Sequence, residues 1–354
     1  MRRLLALVES PEHACYRYRL AAFRDTLAEA GWELEPLVLA RGDVAFFAQT
    51  PQIAAADAVV LLRRLLPWWR RWMLRKNAKV LLYDIDDAVF LRDSNAGKSP
   101  HSSRRQHRFR ASVRLADAVT AGNRFLMEQA APWTDAARVV YFPTAVELER
   151  YPAALHQRRD GRARLAWIGS RSTLPSLALA REGLAAASAR LNGLELRIIC
   201  DGFPALEGVR TIARPWAAET EADELAAADI GVSWLPDHPW SLGKCGLKVL
   251  QYMAAGLPVV ANPIGVHCEM IRHGQTGFLA STPSQWAEAI ARLAASPELR
   301  ATMGHAARRM VAEQYNAPSW AAQFIMLLNR LSSAPSGRET VGLGASRPLT
   351  HAAG

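Results

Sequence analysis

A chain of 354 residues with 50% hydrophobic content is long for one domain, comfortable for two, and able to bury sizeable cores. Its 43 Lys and Arg against 33 Asp and Glu give a net charge of +10, which favours an anionic partner: phosphorylated substrate, acidic lipid or nucleic acid. Four cysteines (Cys15, Cys200, Cys245, Cys268) lie far apart without CxxC or His-Cys spacing, which argues against a disulfide framework or a zinc site and favours a reducing compartment.

Residues 1–160 carry 25 basic and 18 acidic residues, so the first half holds most of the excess and is expected to face the anion. No run reaches the ~20 apolar residues that a transmembrane helix needs. The opening MRRLLALV begins like a signal peptide, but its apolar run stops at Val8 before Glu9. A first buried strand is the expectation, in a cytoplasmic protein attached at most peripherally to a membrane surface.

Short apolar runs then alternate with longer helical patterns, the mark of parallel α/β architecture. In chain order the first half predicts strands at Leu4–Val8, Glu33–Leu39, Ala58–Leu62, Val80–Tyr83, Ala118–Ala121 and Val139–Phe142, with helices at Tyr18–Ala30 and from Arg124 to about Ala131. Residues 1–150 therefore read as one Rossmann-like domain and 151–163 as a polar linker. The pattern restarts with strands Leu165–Ile168, Glu195–Cys200, Val209–Ile212, Ile230–Trp234 and Pro258–Ala261. Helices are predicted at Leu174–Leu191, Glu221–Ala228, Leu247–Ala255, Pro283–Ala295 and Pro297–Tyr315. Residues 164–316 form a second Rossmann-like domain, 317–331 a C-terminal helix that can cross back to the first, and 332–354 a Ser/Gly/Pro/Ala-rich tail expected to be disordered. Two such domains facing a cleft place ligands at the carboxyl ends of the strands, so the loops after each strand are the segments to search.

After strand one, SPEHACYRYRL lacks glycine, so the common dinucleotide cradle is absent. Arg17 and Arg19 are either ordinary exposed helix arginines or a means of meeting an acceptor's anionic group. After strand four come Asp84, Asp86 and Asp87, costly to bury unless solvated, paired or metal-bound. They suit a general base or acceptor-hydroxyl contact, a structural cap paired with nearby arginines, or the DxD of a haloacid-dehalogenase-type phosphatase, although Gly-Thr does not follow.

In the second half, Gly169-Ser170-Arg171 lies between a strand and a helix, where amides, hydroxyls and a guanidinium can hold phosphate. Asp237 leads into SLGKCGLKVLQYMAAGLPVVANPIGVHCEMIRHGQTGFLA, whose Lys244 and Lys248 stand four residues apart beside a helix start. That arrangement suits a nucleotide-sugar diphosphate. Separately, Leu61–Lys79 holds seven basic residues, three tryptophans and no acid, and Lys98–Arg114 is also basic without an acid. Such segments suit an anionic membrane interface or single-stranded nucleic acid, or form a surface helix with its tryptophans turned inward.

LKVLQYMAAGLPVVANPIGVHCEMIRHGQTGFLA resembles the C-terminal signature of GT-B glycosyltransferases of the group 1, retaining, family-four type. LAWIGSRST, ADAVTAGNRFL and YDIDDAVF are similar to segments of a bacterial subgroup linked to surface polysaccharide or lipopolysaccharide assembly. The resemblance implies transfer from a nucleoside-diphosphate sugar to a glycan or lipid-linked acceptor, without metal or other cofactor. It assigns Arg171 and Lys244 or Lys248 to the leaving diphosphate and Gly265 and Val266 to the turn near the donor. The family's paired glutamates correspond here to Gly243 and Gln251; Gln251 keeps hydrogen-bonding capacity towards a ribose but no charge. Asp237 is then the nearest candidate for the sugar contact. A non-catalytic basic α/β protein binding a membrane surface or nucleic acid is the alternative, with nucleic acid the less favoured partner.

Overall fold

The computed structural model describes residues 1–157, 163–191 and 193–333. Two six-stranded sheets are parallel throughout. The first contains β1 (Arg2–Val8), β2 (Trp32–Val38), β3 (Ala58–Leu62), β4 (Leu81–Ile85), β5 (Ala118–Ala121) and β6 (Val139–Tyr141), in the order β2-β1-β3-β4-β5-β6. The second contains β7 (Ala163–Ile168), β8 (Leu194–Cys200), β9 (Arg210–Pro215), β10 (Ile230–Ser233), β11 (Val259–Ala261) and β12 (Gly277–Leu279), in the order β12-β11-β10-β7-β8-β9. Strands such as β3 and β4 are buried at every position because helices cover both faces, which explains their unbroken apolar runs. Leu61, Tyr83 and Phe109 pack on one face of the first sheet; Leu4, Val60 and Phe23 pack on the other.

Predicted strands agree to within two residues at their ends, except that β9 runs three residues beyond the predicted Ile212 to Pro215. The predicted helix Tyr18–Ala30 instead begins at Ala14 and breaks at Leu20, giving Ala14–Arg19, a 3-10 turn and Arg24–Glu29. The break allows Arg19 and Leu20 both to sink into the interior. Ala163, placed in the linker by composition, already opens β7 by pairing with Leu194. The short helices Asp43–Ala48 and Val266–Met270 and the three-residue β12 carry too few residues to show a period, and they are missing from the sequence reading. Residues 158–162 of the expected linker and the tail from 334 lie outside the described residues.

The C-terminal helix, Ala317–Ser333, runs back onto the first domain and extends two residues beyond its predicted end. Ala317, Ala321, Phe324, Leu327 and Leu328 join the cluster built on Leu4, Ala6 and Phe23. The Phe324 ring lies 5.3 Å from Phe142 and 6.4 Å from Phe23, and Trp32 Nε1 donates to Asn329 Oδ1 at 3.2 Å. Phe324→Ala should therefore destabilise the protein by about 3–5 kcal/mol, read as a lowered midpoint in denaturant unfolding.

Candidate functional site

A cleft of about 1090 Å³ opens where the carboxyl edges of the two sheets face each other, and side chains from both halves line it. One wall begins at Gly169–Thr173, directly after β7. A side chain at Gly169 would strike the Thr173 hydroxyl and the Trp167 ring, at 2.5 and 2.6 Å from its Cβ. Ser170 and Thr173 close a reciprocal capping box. Arg171 is exposed in the cleft, its amide bound to Asp201 Oδ1 at 2.7 Å and its guanidinium to the Asp201 carbonyl at 3.0 Å.

The same wall continues through Lys244 to the helix Leu247–Ala254. Its cap, Gly246, holds φ +69°, and a Cβ there would lie 2.5 Å from Met270 Sδ. Lys244 Nζ sits 3.0 Å from Asp87 Oδ2 and 3.4 Å from the centre of the Trp240 ring. Lys248 Nζ sits 4.3 Å over Trp167, and no carboxylate pairs with it among the described residues. Desolvation, reinforced by Lys244, pushes its pKa down to about 7.

The loop after β4 supplies part of the opposite wall. Asp86 and Asp87 line the cleft with Arg63 at 3.8 and 3.6 Å. Burial pushes the Asp87 carboxyl up despite Lys244; for Asp86 burial is outweighed by Arg63 and Arg19, so its pKa falls. Asp84 departs from the expected catalytic role. It is 2% exposed and outside the cleft lining, 2.6 Å from both Arg19 Nη2 and Thr120 Oγ1. Arg19 borders the cleft but is only 1% exposed and also donates to the Phe142 carbonyl, so its guanidinium is committed to internal partners.

Arg17 also lines the cleft, with its guanidinium 3.7 Å from Glu221 of the second domain. Glu221 is the centre of a buried polar cluster that sequence reasoning missed. Its carboxylate accepts from Tyr18 Oη at 2.5 Å and from Trp216 Nε1 at 2.7 Å. Gln251 Nε2 donates to Tyr18 Oη at 3.0 Å and to Tyr151 Oη at 3.4 Å, so the amide expected to meet a ribose is engaged within the protein. The only sequence signal was an acid opening a helix, which an ordinary helix start also explains.

Gln251 still lines the cleft, but three other expected donor contacts do not. Asp237 is exposed and absent from the cleft lining. Gly265, at φ +54°, packs on the Ser241 carbonyl, and Val266 is buried; neither lines the cleft. His267 is buried between Ser233 Oγ at 3.0 Å and the Asn262 carbonyl at 2.9 Å, and burial pushes it down to about 4. Gly243 has a clear steric cause: a Cβ there would meet the Ala88 nitrogen and Cβ at 2.5 Å. No group of three His, Cys, Asp or Glu among the described residues is arranged to hold a metal ion.

Residues 148–296 match the family described as glycosyl transferases, group 1. The match covers less than half of the chain. The whole chain has the GT-B fold: sucrose-phosphate synthase from Thermosynechococcus elongatus superposes with a TM-score of 0.71 at 18% identity, covering 95% of this chain and all (100%) of that one. WaaG, a glycosyltransferase involved in lipopolysaccharide biosynthesis, does so with a TM-score of 0.61 at 16% identity, over 91% and 99%. In sequence, the GDP-mannose-dependent alpha-(1-6)-phosphatidylinositol monomannoside mannosyltransferase of Mycobacterium tuberculosis is 28% identical over 213 residues, 53% of this chain and 55% of the relative. The chain spans between 20% and 55% of the length of the curated relatives it matches. The group 1 segment contributes Gly169–Arg171, Lys244 and Lys248, while Asp86 and Asp87 come from outside it.

Two outcomes follow from the charges. Lys248 has a folded-state pKa of about 7 against an ordinary 10.5, so the unfolded chain binds more protons over that interval. The free protein should gain stability as pH rises through this window, whereas diphosphate binding should take up a proton and weaken above pH about 7. Calorimetry with pyrophosphate in buffers of different ionisation enthalpy checks both proton uptake and its loss in Lys248→Arg. Asp84→Asn should cost about 3–5 kcal/mol of stability by leaving Arg19 buried without its counter-charge, measured by denaturant unfolding.

Proposed function

We propose that this protein transfers a glycosyl group from a nucleoside-diphosphate sugar to a glycan or lipid-linked acceptor, in bacterial surface polysaccharide or lipopolysaccharide synthesis. The observation that carries the reading is the convergence of Arg171, Lys244 and Lys248 beside a glycine-capped helix start on one wall of the cleft. Such a wall offsets the charge that grows on a leaving diphosphate, a role that needs no metal ion. Asp86 and Asp87 stand opposite, positioned for an acceptor hydroxyl. In the reaction the bond from the anomeric carbon to the diphosphate oxygen breaks and one to the acceptor oxygen forms, with retained configuration as part of the same proposal. The acceptor proton leaves to Asp87 or to the departing phosphate.

Lys244 starts the cycle bound to Asp87, so an incoming diphosphate competes for the ammonium and releases the carboxylate to the acceptor. The WaaG likeness supports the surface-glycan setting, and the mannosyltransferase relative supports a nucleotide-sugar donor. A cytoplasmic location belongs to the same proposal. A second reading, a binding protein without turnover, draws on the engaged Gln251 and the closed space at Gly243.

A panel of UDP-, GDP-, ADP- and CMP-sugars should raise the unfolding temperature with at least one donor; no shift with any favours the second reading. Lys244→Ala should lower kcat by about 10²–10³-fold, comparable to losing one pre-organised charge-stabilising group. Asp87→Asn should tighten donor binding while slowing turnover, since it removes both the competitor for Lys244 and an acceptor-side carboxylate.

A further inference from the structure

The Trp/Arg segment plays no part in the cleft chemistry. It forms the helix Trp68–Asn77, in which Trp68 and Trp72 are 72% and 55% exposed. They stand four residues apart on one helix face, and Lys76 continues that row with its ammonium 5.0 Å over the Trp72 ring. The inward-facing reading therefore holds for Trp69, whose ring packs on Phe46 and Phe47, but fails for these two tryptophans.

The neighbouring helix, Ser103–Leu115, contains five arginines and no acid. None of its arginines is ion-paired among the described residues: Arg105 and Arg108 donate to the carbonyls of Val89 and Leu65, and Arg110 and Arg114 lie over Trp133. Arg108 is held below its ordinary pKa by burial and then by Arg104, and Arg71 by burial and then by Arg108, so positive charge is crowded here without compensation. Basic residues elsewhere in the first segment differ, since Arg64, Arg70, Arg75 and Lys79 each meet a carboxylate.

Each helix follows a strand, β3 or β4, so its first residues lie towards the carboxyl edge of the sheet, where the cleft opens. We propose that this face, with Trp68 and Trp72 as interfacial anchors and Arg104 and Arg108 as the adjoining cations, docks the protein on an anionic lipid bilayer. Tryptophan suits the headgroup boundary because its ring is apolar and its N–H polar. Unpaired cations beside it gain from the negative surface potential. Projecting rings favour a bilayer over single-stranded nucleic acid, whose bases stack on platforms set in charged grooves. No described helix is long and apolar enough to cross a membrane, so docking here is from one side. The proposal rests on this surface alone and is independent of the transfer reading.

The full chain is floated with phosphatidylcholine vesicles and with phosphatidylcholine/phosphatidylglycerol vesicles at low and high salt. Capture should require phosphatidylglycerol, weaken with salt, and fall on the order of ten-fold or more in Trp68→Ser/Trp72→Ser and in Arg104→Gln/Arg108→Gln. Unchanged unfolding temperatures show that the variants remain folded. Absence of capture of the unmutated protein overturns the proposal, as does equal capture by neutral vesicles. It is also overturned if folded variants float undiminished, or if they lose only oligonucleotide binding or self-association.

Discussion

The Lys244 loop is held between the two halves of the molecule, and much of the site depends on that clamp. Asn123 of the first domain donates at 2.9 Å to the carbonyls of both Leu242 and Lys244, while its own side chain caps the helix that begins at Arg124. Ala88 sits against Gly243, and Asp87 takes the Lys244 ammonium. A loop otherwise free to fluctuate is thereby placed to within hydrogen-bond tolerance. The same contacts couple the electrostatics of the walls, because a carboxylate from one domain and an ammonium from the other share one partly buried space.

A second join between domains is polar and more deeply buried. Glu221, at 3% exposure, would be expensive in a dry interior if left alone. Tyr18, Tyr151 and Trp216 surround it, and Gln251 completes the network by donating to both tyrosines. A glutamate at 251 would put a second carboxylate next to these hydroxyls and close to Glu221; the neutral amide avoids that repulsion. Gly243 and Gln251, which look like two losses in the linear sequence, are therefore each adapted to a neighbour from elsewhere in the chain.

The fold was largely legible because its signals are local. Unbroken apolar strands, glycine stops such as Gly31, and prolines at helix starts all act within a few residues. The Lys244–Lys248 spacing and the Gly169–Arg171 turn were legible for the same reason. The three aspartates after β4 show where such reading stops: residue type gave their cost on burial but not which of them had a partner. Arg19 and Thr120, 65 and 36 residues away, turned Asp84 inward.

Sequence alone determined the alternation of strands and helices, the two parallel sheets, the basic and tryptophan-rich flank, and the lysine-bearing helix start. These follow from periodicity, chain stiffness and charge, which neighbouring residues express directly. Tertiary structure decided how the charges at the cleft are used: it withdrew Asp84 and committed Arg19 to it, left Asp237 outside, engaged Gln251, and tied Lys244 to Asp87. Those outcomes are set by close packing and by the cost of an unpaired buried charge. Both depend on groups brought together only when distant segments meet.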